Sequence, residues 1–112
     1  PHGLSNSLVL PHVLRFNIAD DNAAQLYAEL APRLFPEMDI SSDNKETSIK
    51  FIDNLASISK ELGLAQKLRG LNIPEDACAK MASDAMKQSR LLINNPREIT
   101  EKDAFDIYKL AW

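Results

Sequence analysis

The sequence predicts an all-α fold, a bundle of five or six helices, on three observations. Apolar residues recur every three to four positions, and no stretch alternates apolar and polar residues for long enough to make a strand. Helix-start residues (Asp, Thr, Pro) and helix-stop residues (Gly, Asn-Pro) punctuate the chain at helix-length intervals. At 112 residues, 45% hydrophobic and 26% charged with three glycines, the chain is long enough for one domain with a buried core.

The first helix is expected from Gly3 to about Ile18. It carries two apolar stripes, Leu4, Leu8, Leu14 and Ile18 on one and Val9, Val13 and Phe16 on the other. A helix apolar over so much of its circumference belongs in the middle of a bundle. Pro11 lacks the N–H that would bond to Ser7, which predicts a kink. Asp20, Asp21 and Asn22 offer caps for a second helix bearing Leu26, Tyr27, Leu30 and Leu34, limited by Pro32 and Pro36. Glu37 to Asn44 is polar and aperiodic, a loop.

Asp43 with Glu46 predicts a capping box for a third helix, with Ile49, Ile52, Leu55, Ala56 and Leu62 on one face. Gly63 is placed to end it in a left-handed turn. A short turn over Ala65 to Arg69 is expected to end at Gly70. Ile73-Pro74 then opens a helix, proline first, with Cys78, Met81, Ala82 and Ala85 inward. Its end falls somewhere in Gln88 to Ile93. Asn94-Asn95-Pro96 is a turn, and Thr100 with Asp103 caps a last helix with Ala104, Phe105, Tyr108 and Trp112.

The 13 basic and 16 acidic residues are mixed along the chain, for a formal net charge of -3. No basic face or block stands out, which argues against nucleic acid and against an anionic membrane as partners. The apolar runs are too short to span a bilayer. The one cysteine, Cys78, has no partner for an internal disulfide and fits a reducing cytoplasm, the expected location.

The chemistry-bearing stretch is the first one, PHGLSNSLVLPHVLRFN, with His2 and His12 ten residues apart. On a helix that spacing is a rise of roughly 15 Å and a rotation about 80° off register. Helical ligand pairs sit three or four residues apart, so one ion does not hold both. His12 lies among Leu8, Val9 and Phe16 and reads as a core histidine bonded to a carbonyl. His2, between Pro1 and Gly3 at a helix start, is placed to point into a cleft, and spacing alone leaves open whether it binds anything.

The same stretch resembles the iron-containing (group III) alcohol dehydrogenases. Their last iron-ligating histidine stands in an H-G-x-x-N pattern, matched by His2-Gly3-Leu4-Ser5-Asn6. Their later L-P-H-V histidine, matched by His12, is not a ligand. NNPREITEKDAFDIYKLAW resembles the family's N-P-R-E-x-T segment and final helix, and the turn at Asn72 to Asp76 matches more loosely.

The resemblance implies that residues 1–112 are the C-terminal part of a dehydroquinate synthase-like helical domain. The NAD- or NADP-binding domain, an aspartate and two further histidine ligands would lie upstream of Pro1. His2 would ligate Fe(2+), Zn(2+) being possible for an imidazole site. Ser5 and Asn6 would orient it, or merely cap the helix start. Leu91 would line the pocket for a small alcohol or aldehyde, or would be a plain core leucine. Arg97 would fix a turn by bonding to carbonyls. The parent enzyme is expected to be a homo-oligomer and the piece alone inactive. The rival readings are a zinc-type relative of glycerol dehydrogenase and a helical interaction module without chemistry.

Overall fold

The computed structural model describes residues 2–87 and 95–112, in residues 2–7 the backbone alone. Five α-helices and one 3-10 turn make up the described part, with no strand in it: α1 His2–Asn17, α2 Asp21–Leu34, α3 Asn44–Glu61, the 3-10 turn Leu68–Leu71, α4 Ala77–Ala85 and α5 Glu101–Ala111. The all-α bundle is what the periodicity predicts. The fourth helix ends at Ala85, and the expected boundary range Gln88 to Ile93 lies outside the described residues.

Helix α1 is the central element, continuous through Pro11. Leu8, Val9, Val13 and Phe16 pack with Leu68, Ile107, Ala111 and Trp112, while Leu14 and Ile18 pack with Ala23, Tyr27, Phe51 and Ile52. Of the two predicted stripes, Leu14 and Ile18 serve one core and Val9, Val13 and Phe16 the other; Leu8 joins the stripe of Val9, and the side chain of Leu4 lies outside the described residues. Helix α5 and the 3-10 turn close the first core. Helices α2 and α3 pair as a hairpin to make the second.

Helices α2 and α3 bury part of the expected face, Tyr27 and Ile52 with Leu30 and Leu55 packed beside them, but not all of it. Leu26 and Leu34 are exposed, and Ala23, Ala24, Tyr27 and Ala31 face inward. On α3, Ile49 and Leu62 are exposed, while Thr47, Ser48, Phe51 and Ile52 are buried. Small side chains let the two backbones approach until the Ser48 hydroxyl reaches the Ala24 carbonyl at 2.7 Å. Bulk at Ala24 would prevent that bond.

The boundaries follow the cap chemistry. The Asp20 carboxylate accepts from the Ala23 N–H at 3.0 Å. Helix α2 runs through Pro32 and stops before Pro36, whose ring disfavours helix at Phe35. Asp43 caps α3, but the expected box with Glu46 is relayed: the Asp43 N–H donates to Ser41 Oγ, and that hydroxyl donates to Glu46.

Gly63 (φ +76°) ends α3 with the Leu64 N–H on the Ser59 carbonyl and its own N–H on the Lys60 carbonyl. This is the paired bonding of a glycine-terminated helix. The next left-handed residue is Asn72 (φ 63°), not Gly70, which lies inside the 3-10 turn. Pro74 opens a turn three residues ahead of α4 rather than occupying its first position, its carbonyl accepting from the Ala77 N–H. Thr100 and Asp103 form a reciprocal capping box at the head of α5.

Candidate functional site

His2 is the first residue of α1, so the H-G-x-x-N pattern occupies the first turn and a half of the central helix. The side chains of His2, Ser5 and Asn6 lie outside the described residues, as does the whole of Leu91. What the structure does describe is how the rest of α1 is held, and by which residues.

His12 sits one helical turn before Phe16, at a groove of about 280 Å³ between α1 and α5. Arg15 and Phe16 line it on one side and Asp103, Asp106 and Ile107 on the other. It is half-buried rather than a core residue, and no bond from its ring to a carbonyl is present among the described residues. Burial, reinforced by the Arg15 guanidinium, holds its pKa below the ordinary histidine value, so the ring is neutral at pH 7.

Among the described residues no group of three or more His, Cys, Asp and Glu side chains converges as a metal site needs. Cys78 is fully buried on α4, with its thiol pushed up by burial, and is no candidate ligand. A larger trough of about 550 Å³ lies between the exit of α2 and the second half of α3. Leu34, Phe35, Met38 and Ile58 line it together with Glu37 and Glu61, two carboxylates and no imidazole or thiol.

The feature that sequence reasoning missed is at the far end of α1. Asn17 is buried, 2% exposed, yet every polar atom of its amide is used. Its Nδ2 donates to Asn95 Oδ1 at 2.9 Å and lies 3.2 Å from the Tyr27 hydroxyl, while Asn95 Nδ2 donates back to Asn17 Oδ1 at 2.7 Å. Two amides thus pair head to tail across 78 residues of sequence.

Arg97 completes the arrangement. Its guanidinium donates to the Phe16 carbonyl at 2.9 Å and lies 3.9 Å from the centre of the Phe16 ring. The expectation that Arg97 bonds to carbonyls holds, but the carbonyl belongs to the end of α1 rather than to a local turn. The last carbonyls of a helix lack intrahelical partners, and a cation there also meets the negative end of the helix dipole. Ile18 N–H takes the Leu14 carbonyl, Asp20 N–H takes that of Asn17, and Arg97 takes that of Phe16. The only signal in the sequence was an asparagine directly after Phe16 at the end of an apolar helix, and nothing local named its partner.

The model of the Fe-containing alcohol dehydrogenase family, C-terminal part, matches residues 1–112. The chain is 30% identical over 112 residues to 1,3-propanediol dehydrogenase of Citrobacter freundii, covering 100% of the chain and 28% of that protein. It is 29% identical over 111 residues to long-chain-alcohol dehydrogenase 1 of Geobacillus thermodenitrificans, covering 99% and 27%. The crystal structure of a 1,3-propanediol oxidoreductase superposes with a TM-score of 0.86 at 30% identity, over 100% of this chain and 28% of that one. The chain therefore spans less than a third of the length of the relatives it matches.

Proposed function

Because the chain belongs to the Fe-containing alcohol dehydrogenase family, as its C-terminal part, we propose that it is the last portion of the helical domain of a metal-dependent, NAD- or NADP-linked alcohol dehydrogenase. One observation supports the reading: the family match runs through all of residues 1–112, in which His2-Gly3-Leu4-Ser5-Asn6 begins the central helix.

On this reading the chain gives the metal one ligand, the neutral imidazole of His2, whose chemistry suits divalent iron and also zinc. The remaining ligands and the nucleotide-binding domain come from sequence outside residues 1–112. When bound, the metal supplies Lewis-acid polarisation of the alcohol oxygen and the nicotinamide supplies the hydride acceptor. The work of the chain itself is positional. Helix α1 presents His2 at one end, α3 and α5 hold its flanks, and Leu91 contributes an apolar wall toward a small alcohol or aldehyde. His12, held neutral in its groove, stays clear of the metal. The parent protein is a cytoplasmic homo-oligomer on the same reading; among the described residues, no helix is long and apolar enough to cross a membrane.

The experiment is a pair of variants in the full-length protein, read by elemental analysis and thermal melting. His2→Ala strips the metal and abolishes alcohol-dependent NAD(P) reduction. His12→Ala keeps the metal and lowers the melting temperature. Equal metal loss in both, or none in either, refutes the assignment. Sedimentation of the same preparation tests the assembly, and a strict monomer would count against it.

A further inference from the structure

We propose that Asn95 and Arg97 are positioning residues for His2, acting through the far end of α1; this rests on the reading above, in which His2 is a ligand. The apolar contacts of α1, from Leu8, Val9, Val13 and Phe16 on one side and Leu14 and Ile18 on the other, are non-directional. Such contacts hold a helix near its neighbours and leave it some freedom to turn about its axis or slide along it. Hydrogen bonds are directional and remove that freedom.

Among residues 8–17 of α1, whose side chains the structure describes, the bonds to side chains of other elements fall at Arg15, Phe16 and Asn17. The half-buried Asn17–Asn95 amide pair, the Asn17–Tyr27 contact and the Arg97 bond to the Phe16 carbonyl fix the register of α1 from two sides. The Arg15–Asp53 ion pair at 3.2 Å adds a third, exposed tie.

Helix α1 is continuous from His2 to Asn17, about 24 Å long, so a turn of its end is a turn of its head. A rotation of about 20° moves a side-chain tip roughly 5 to 6 Å from the axis by about 2 Å. A metal–ligand bond tolerates about 0.2 Å. A clamp that removes that rotation is therefore what a ligand at the first position of this helix requires. Asn95 and Arg97 supply it from the other end of the sequence. The Asn95 amide also donates to the Arg97 carbonyl, which stiffens the clamp itself.

The test uses the full-length metal-loaded protein and measures metal retained against a graded series of chelators, with the melting temperature of the metal-free form beside it. Removing a partner that orients a ligand typically weakens metal binding by about 10–100-fold. Asn95→Ala is expected to release metal about tenfold more readily than the parent sequence. Arg97→Gln, at an exposed position, does so less strongly, and Arg97→Lys restores most of the loss. The metal-free melts shift far less than the retention.

If Asn95→Ala does not fold, Arg97→Gln and Arg97→Lys carry the same test. Unchanged metal retention in Arg97→Gln and in folded Asn95→Ala, whatever their melts, overturns the proposal and makes the clamp merely structural. His2→Ala separates the two levels. If it keeps its metal, the ligand assignment has failed. If it loses metal while the clamp variants do not, the positioning alone has failed.

Discussion

The two cores on either side of α1 are built on opposite plans. The α2–α3 hairpin joins elements adjacent in sequence and packs alanines at the crossing. Phe51 lies between Tyr27 and Phe35, with ring centroids at 6.4 and 5.9 Å. Its one buried inter-helix hydrogen bond, from Ser48, is to main chain. The other core joins α1 to α5 and the 3-10 turn, elements remote in sequence, through aliphatic side chains together with Phe16 and Trp112. It is tied by polar bonds spanning 39, 78 and 81 residues. One region gains its order from close packing. The other needs directional bonds because its apolar contacts alone leave orientation loose. The helix that carries His2 belongs to the second plan at the end where it is clamped.

The largest effect expected is on the packed side. Phe51→Ala removes a ring 4% exposed and should destabilise the fold by roughly 3–5 kcal/mol in a denaturant titration. In the full-length protein any surviving folded fraction should keep its metal. Metal loss in the folded fraction would mean that the hairpin sets the pose of α1 through its packing as well as through Tyr27 and Asp53.

A smaller effect sharpens the polar side. Asn17→Ala leaves Asn95 Oδ1 and the Tyr27 hydroxyl without the Asn17 amide, while Asn95 Nδ2 keeps the Arg97 carbonyl, at about 1–3 kcal/mol. A double-mutant cycle with Asn95→Ala should return a coupling energy of about 0.5–3 kcal/mol. Strict additivity would show the amide pair to be two independent groups.

The smallest effect is the pH response of His12. Its folded pKa lies below the unfolded value, so protonation favours the unfolded chain. Stability is full above about pH 6.5 and declines as pH falls through that value toward the folded pKa. Melting curves between pH 8 and pH 5 should show this decline, and His12→Leu should flatten it. Asp103, Asp106 and Arg15 share the groove, so a response that survives His12→Leu would show that His12 is not the group responsible.

Helix boundaries were legible because their causes are local. Asp20, Asp43, Thr100 with Asp103, and Gly63 each act within a few residues of themselves, and each stands where the pattern put it. Faces were less legible. Leucine dominates any reading of hydrophobic pattern, yet at a close helix crossing the inward residue is the one small enough to fit. Hence Ala24 and Ala31 are inside while Leu26 and Leu34 are out. The short turn expected to end at Gly70 runs on to Leu71 and closes at Asn72, whose left-handed backbone an asparagine permits. His2 stood out through its pattern with Gly3 and Asn6. The clamp could not stand out, because Asn17 and Asn95 are unremarkable singly and acquire meaning only once the fold brings them together.

Trp112 is the only tryptophan in the sequence, and its indole N–H donates to the Ile73 carbonyl at 2.8 Å with Arg69 5.3 Å from its ring centre. Its fluorescence is thus an optical probe of one plan and blind to the other. Emission should change when α5 leaves the 3-10 turn and stay constant while the α2–α3 hairpin opens. Circular dichroism, by contrast, sums every helix. Recording both signals on one sample would show whether the two halves of the molecule melt as one cooperative unit or in succession.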